Sequence, residues 1–386
     1  MTIYLDNAAT TAMDIAVVKV MQPFFSEKYG NPSSTHSLGR EAREAVNKAR
    51  ASIAAALGAR PQEVIFLGSG TEANNLAIKG AALALKSKGN HIITSSIEHD
   101  SVLEACKWLE TQGFSVTYLP VDNDGKVSMA ALEKAFTPKT ILVTIMHANN
   151  EIGTVQDIQS IAAECAKRKV LFHTDASQSF TKIPIDFGKQ QLSMVTVSSH
   201  KIHGPKGIAA LVVREGVKLM PLMHGGGHER GVRSGTENVP GIVGFEEAAR
   251  QAKQEHVSKM EELRDNLISG LERMKGVILN GPKGGERLCN NVNVWFEGIE
   301  AESLLVLLDK AGICASTGSA CSSKELEPSH VLRAIGLTPV QAHGSVRFSL
   351  SRFTTQQEIE EVLRVIPGMV ERLRGKRGCS GRMRLH

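Results

Sequence analysis

At 386 residues, with 42% hydrophobic and 22% charged side chains, the chain is long enough for two domains with substantial cores and has an ordinary globular composition. No apolar run approaches the roughly 18 residues of a membrane span, and aromatic residues, at 4%, are too sparse for a base-stacking surface. The formal net charge of +5 lies wholly in residues 371–386, where six basic side chains accompany one acid; the body is neutral, which excludes a basic nucleic-acid binder.

The basic end reads as a solvated terminus or, more sharply, as a docking arm for an acidic partner. Met1–Asp6 has no basic segment followed by an apolar one, so no signal peptide is expected and the expected location is cytoplasmic. Six cysteines occur without a C-x-x-C pair, which argues for free thiols in a reducing compartment and against a structural zinc site.

In chain order, residues 3–12 hold a short apolar piece and the polar loop Asp6-Asn7-Ala8-Ala9-Thr10-Thr11. Residues 14–25 look helical, Gly30–His36 is turn-rich, and a helix at about 38–57 carries Val46, Ala49, Ile53 and Leu57 on one stripe. Residues 63–67 read as a strand that runs into Gly68-Ser69-Gly70-Thr71-Glu72 and a helix at about 72–87. A glycine-rich turn opening a helix presents free N–H groups and the positive dipole end to phosphate. The alternative is a capped helix start with Thr71 as the cap.

Residues 91–95 form the next strand and lead to Glu98-His99 and a helix at about 100–112. Strands follow at 115–119 and 141–146, the latter ending in His147-Ala148-Asn149-Asn150-Glu151. A helix at about 156–168 precedes a strand ending on Asp175, and strands at 195–199 and 208–213 complete the set. Strands alternating with helices indicate a mainly parallel, doubly wound sheet, in which ligands bind beyond the strand carboxyl ends. Thr71, His99, Asn150, Asp175 and Lys201 all follow directly on expected strands.

Lys201 sits where the alternating, β-branched run Val195–Ser199 gives way to a Gly/Pro turn. A lone lysine there is ordinarily a surface residue. Paired with a second strand ending on Asp175, it becomes a Schiff-base lysine beside an aspartate suited to a pyridinium nitrogen, as a pyridoxal phosphate (PLP) site requires.

Gly225–Thr236 is a glycine-rich, basic loop, either a mobile lid or an anion contact. Beyond it a long helix at about 257–275, strands near 277–279, 291–296 and 345–350, and helices near 301–310 and 356–374 suggest a second, smaller α+β unit. Cys106 and Cys165 sit in helix patterns and read as buried small hydrophobes, and Cys314 reads as structural. Cys321 lies among Ser316-Thr317-Gly318-Ser319-Ala320 and Ser322-Ser323, where nothing builds a core, and reads as an exposed thiol.

These residues together resemble the cysteine desulfurases of the NifS/IscS group, PLP enzymes of fold type I in the class V aminotransferase family. The resemblance runs from Leu5–Thr11 to Arg347–Arg352 and rests on Gly30–His36, Ser69–Asn75, Glu98-His99, Asn149–Gly153, His173–Gln178, Ser199–Gly207, Gly225–Asn238, Ser316–Ser322 and Glu327–His330. It implies a PLP-dependent transferase fold: a large domain of residues 14–256, and a small one of 1–13 plus 257–386 carrying a cysteine loop at about 312–326.

By resemblance, Lys201 carries the cofactor, Asp175 partners the pyridinium nitrogen, Gln178 bonds the ring's phenolic oxygen, and His99 stacks on the ring and serves in proton transfer. Gly70, Thr71, Ser198 and His200 match phosphate ligands, and Thr236 matches one donated by the other subunit of a homodimer. Asn150, also a cofactor contact, and Arg347 match residues that hold the substrate carboxylate, and Cys321 matches the nucleophile. The implied reaction takes sulfur from L-cysteine, leaving L-alanine and a persulfide on Cys321. The implied acceptor is an iron–sulfur scaffold protein or another sulfur acceptor. No intrinsic metal site is implied, only transient contact of Cys321 with an iron–sulfur cluster. An aminotransferase of the same class would use Lys201 and Asp175 equally but would have no need of Cys321. His203 stands where many relatives carry tyrosine, Gly70 where alanine is common, and the C-terminus lacks the ending usual in scaffold-binding relatives.

Overall fold

The computed structural model describes residues 2–317 and 327–380, the last five by backbone alone. Its strands are β1 (Ile3–Tyr4), β2 (Val64–Leu67), β3 (His91–Ser95), β4 (Ser115–Leu119), β5 (Thr140–Thr144), β6 (Leu171–Asp175), β7 (Met194–Ser198), β8 (Ala209–Val213), β9 (Val277–Leu279), β10 (Asn291–Phe296), β11 (Ile313–Cys314) and β12 (Ser345–Ser349).

Seven of these form one sheet in the order β2-β8-β7-β6-β5-β3-β4. β7, β6, β5, β3 and β4 run parallel, while β8 runs antiparallel to both β2 and β7. The mainly parallel α/β sheet expected from the alternation of elements is therefore present. Its strands are apolar runs because helices cover both faces. Val64, Phe66, Val195, Val197, Ala210 and Val212 point into one core with the helices Ser37–Ala56, Ile158–Lys167 and Val239–Arg250. Their neighbours Ile65, Leu67, Met194, Leu211 and Val213 point into another with the helix Asp100–Thr111. The period-2 pleat sorts each strand between the two cores.

The helix expected at about 72–87 starts at Gly70, and Ser69, not Thr71, caps it by accepting from the Glu72 amide at 3.1 Å. It passes through a π turn at Leu76–Gly80 before Ala81–Leu85. The strand expected at 141–146 ends at Thr144. The helices Met129–Ala135, Val239–Arg250, His330–Ala334 and Pro339–His343 were not anticipated from the sequence.

A further core joins the antiparallel sheet β12-β10-β9 to the helices Gln254–Glu272, Ala301–Lys310 and Gln356–Ser380 through Leu263, Leu267, Val294, Phe296, Leu304, Leu308, Phe348, Ile359 and Val362. Ile3 and Leu5 enter the same core, because β1 pairs in parallel with β11. That pairing leads the Asp6–Thr11 loop from this core to the turn that follows β7, where Thr11 Oγ1 donates to the His200 carbonyl.

Candidate active site

Five parallel strands put their carboxyl ends on one edge, and the candidate residues gather there. β6 ends on Asp175, which is buried. Its Oδ1 accepts from the Ser177 amide at 2.8 Å and its Oδ2 from Asn74 Nδ2 at 2.7 Å. Asn74 Nδ2 also reaches Ser101 Oγ at 2.8 Å, and Ser101 Oγ stands 2.9 Å from His99 Nδ1. His99 is in turn the N-cap of the helix Asp100–Thr111, its Nδ1 accepting from the Ser101 amide at 3.1 Å. Asp175 and His99 thus belong to one hydrogen-bonded chain through two side chains that the sequence reading gave no role. A signal for Asn74 was its spacing of four from Gly70, which places it on the helix face that looks down on the sheet.

Lys201 closes the short 3₁₀ turn Ser199–Lys201 after β7. Its Nζ donates to the carbonyls of Ala8 at 2.6 Å and Ala9 at 2.7 Å, and Gln178 Nε2 donates to the same Ala8 carbonyl at 3.0 Å. His200 Nδ1 meets Thr10 Oγ1 at 3.1 Å, and Thr11 Oγ1 donates to the His200 carbonyl at 2.9 Å. The Asp6–Thr11 loop therefore covers the lysine turn. Burial, with the nearby charges of Lys201 and Lys206, pushes His200 down to about 4, so it is neutral at physiological pH.

At the start of the Gly70 helix, a Cβ built on Gly70 would stand 3.4 Å from Ser177 Oγ and 3.6 Å from Ser198 Cβ. Two hydroxyl-bearing side chains and a capped helix start therefore converge on the open position beside Gly70, where a Cβ would make only ordinary contact. Thr71 and Thr236 are exposed and take no part in the bonds described above.

Arg347, on β12, is buried and paired with Asp6 at 2.9 Å, and its Nη1 donates to the Asn150 carbonyl at 3.0 Å. The two residues expected to hold a substrate carboxylate are thus in contact. Next to them the buried Glu151 accepts from Ser329 Oγ at 2.6 Å, and His330 Nε2 meets the Glu98 carbonyl at 2.9 Å. Glu98 is itself buried; burial, with Asp175 adding to it, pushes its carboxyl up to about 8. Ser95 Oγ and the Met146 amide hold that carboxyl at 2.6 and 2.9 Å.

The Gly225–Thr236 loop is pinned rather than free at its centre. Buried Glu229 grips Arg50 with two bonds of 2.7 Å and accepts from the Phe66 amide at 3.1 Å. Arg233 of the same loop pairs with Glu72 at 2.8 Å.

Residues 3–362 match the family Aminotransferase class-V. The chain belongs to the class-V aminotransferase family. Among curated relatives, it is 50% identical over 375 residues to the protein named cysteine desulfurase IscS of Methanosarcina thermophila, covering 96% of this chain and 93% of that one. Among solved structures it is similar to a NifS-like protein, at 40% identity and a TM-score of 0.91, over 97% of this chain and 100% of the other. It is also similar to a structure described as SspA in complex with cysteine, at 39% identity and a TM-score of 0.83, over 92% and 100% of the two chains.

Class-V enzymes of this kind depend on PLP, and the residues present fit it. The open position at Gly70, flanked by Ser177 and Ser198, suits a phosphate. Asp175 uses two of its roughly four acceptor sites on Asn74 and Ser177, which leaves capacity for a pyridinium N–H. Cys321, the expected nucleophile, lies outside the described residues. Of the cysteines within them, burial pushes Cys106 and Cys165 up to about 12 and Cys289 up to about 11, so these three are held as inert thiols.

Proposed function

We propose that this class-V chain is a PLP-dependent cysteine desulfurase of the NifS/IscS group. It removes sulfur from L-cysteine, leaves L-alanine, and passes the sulfur from Cys321 to acceptors for iron–sulfur cluster assembly and other sulfur transfer. One observation carries the reading: Lys201, Asp175 and His99 lie at the same carboxyl edge of the sheet in a chain 50% identical to a protein named cysteine desulfurase.

Bound PLP supplies an electron sink for the pair left behind when the substrate loses its α-proton. Asp175 is the carboxylate that would face the ring nitrogen and favour its protonated form. Gly70, Thr71, Ser198 and His200 take the phosphate, and Gln178 takes the phenolic oxygen. Lys201 Nζ leaves the carbonyls of Ala8 and Ala9 to receive the α-proton. Asn150 and the Arg347 guanidinium receive the substrate carboxylate, Asp6 giving up its place on that fork. The Cys321 thiolate attacks the substrate sulfur. A sulfur–sulfur bond forms and the carbon–sulfur bond breaks; its electron pair stays with the β-carbon, which takes a proton, and Lys201 returns the α-proton to the α-carbon to give alanine.

The working form is a homodimer in the cytoplasm, with Thr236 of each subunit completing the phosphate site of the other; its exposure supports that role. The large domain spans residues 14–256 and the small one residues 1–13 with 257–386; three cores that each lie within one unit support the division, and Ile97, Met146 and Ile152 of the first pack against Val331, Leu332 and Ile335 of the second.

The test is an absorbance spectrum of the purified protein before and after L-cysteine, with sulfide and alanine measured in the same tube. A visible-edge band that shifts with cysteine, together with both products, is the expected result. A colourless protein, or colour without sulfide, would overturn the proposal.

A further inference from the structure

The chain of bonds between Asp175 and His99 has a direction, and that direction fixes a proton. An ionised aspartate only accepts, so the group of Asn74 that faces Asp175 Oδ2 at 2.7 Å is the amide Nδ2. Its second hydrogen falls on Ser101 Oγ at 2.8 Å. With that lone pair engaged, the Ser101 hydroxyl turns its own hydrogen to His99 Nδ1 at 2.9 Å. The Ser101 backbone amide, which can only donate, reaches the same Nδ1 at 3.1 Å. Two donors on one ring nitrogen require that nitrogen to be bare. Turning the ring over would set a carbon against both donors, and turning the amide over would set Asn74 Oδ1 against the Asp175 carboxylate. The protein instead leaves Asn74 Oδ1 buried with no partner among the described residues.

We infer that Asn74 and Ser101 are positioning residues that hold His99 as the neutral ring with its hydrogen on Nε2. His99 then gives a hydrogen bond toward the reacting atoms and takes no proton at Nδ1, and the proton traffic at the substrate α-carbon falls to Lys201. The inference rests on the proposed function only for the identity of the reacting atoms; the ring's proton is read without substrate.

The charged and titratable groups nearest in these contacts are Glu98 and Asp100 on the same segment, Asp175 behind Asn74, and His330 on the Glu98 carbonyl. Substituting Ser101 leaves all four in place.

The experiment is nitrogen NMR on the holoprotein with ¹⁵N-labelled histidine, the His99 signals being those lost in His99→Gln. In the unmutated protein Nδ1 should give the signal of a bare ring nitrogen and Nε2 that of a protonated one; a protonated Nδ1 at neutral pH would overturn the inference. Ser101→Ala removes one of the two donors. The midpoint at which His99 takes a second proton should rise by about 0.5–1 pH unit, the equivalent of one neutral hydrogen bond. Ser101→Thr, which keeps the hydroxyl, should restore it. An unmoved midpoint in Ser101→Ala would also overturn the inference. Should that variant fail to fold, the signals of the unmutated protein alone decide. A failed desulfurase assay beside an intact Nε2–H signature would count against the proposed reaction and not against the positioning role.

Discussion

Lys201 Nζ donates to the carbonyl of Ala8 at 2.6 Å across 193 positions of sequence. Two backbone carbonyls, those of Ala8 and Ala9, accept hydrogen bonds from the amine. Carbonyl acceptors orient the amine without themselves placing a full negative charge against it. Lys201→Ala should abolish turnover. Borohydride reduction followed by mass measurement should show the cofactor fixed to the unmutated chain and not to the variant. A variant still trapped in this way would remove Lys201 from its assigned role.

Cys321→Ala should keep the cofactor's absorbance and lose both sulfide release and persulfide. Cys106, Cys165 and Cys289 offer no substitute, because burial keeps their thiols protonated. Sulfide production by the variant at the parental rate would exclude Cys321 as the nucleophile.

Asp175→Asn exchanges the one carboxylate on Asn74 and the Ser177 amide for a neutral group. Turnover should fall by at least about 10²-fold, the scale of removing one preorganised electrostatic group from a site. Cofactor occupancy, read by absorbance on the same sample, should stay high, because the Gly70, Ser177 and Ser198 positions are untouched. Retained turnover would show that the ring nitrogen does not need this partner.

The Arg50–Glu229 pair is enclosed, with side-chain exposures of 13% and 3%. Arg50→Met leaves Glu229 as a buried charge without its partner. The expected loss of stability is about 3 kcal/mol, measured by urea unfolding of the holoprotein. A loss below about 1 kcal/mol would place the pair with solvent-screened surface bridges.

Burial pushes His147, His173, His200 and His203 down to about 4, from an ordinary 6.5. Each is neutral in the folded chain and takes a proton more readily when unfolded. Their contribution to stability is complete above pH 6.5 and is lost as pH falls toward 4. Glu98 acts oppositely: raised from 4.5 to about 8, its contribution is lost as pH rises through that window. Thermal unfolding midpoints should therefore fall on the acid side below about 6.5. Glu98→Gln should flatten the alkaline limb. A pH-independent midpoint on the acid side would contradict the buried neutral histidines.

The local elements were legible because their determinants are local. The alternation of Val195–Ser199 gave a strand that the structure places at Met194–Ser198, and the stripe through Val46, Ala49 and Ile53 gave a helix found at Ser37–Ala56. In the sequence the start of Val239–Arg250 reads as a continuation of the glycine loop. In the structure Asn238 caps it by accepting from the Gly241 amide at 3.0 Å, and Pro240 sits in the first turn, where a proline has no N–H to lose.

The sequence by itself determined that Asp175 and Lys201 stand at strand ends, that the glycine turn Gly68–Gly70 leads into a helix at about 72, and that the class is a mainly parallel α/β sheet. These follow from pleat and helix periods, which depend on residues a few positions apart. Only the tertiary structure decided that β8 runs against its neighbours, that β1 pairs with β11 and brings Ala8 over Lys201, that Arg347 meets Asp6, and that Asn74 and Ser101 join Asp175 to His99. Each of those depends on which distant backbones lie side by side. Strand order and crossover connections set that arrangement, and no local period encodes it.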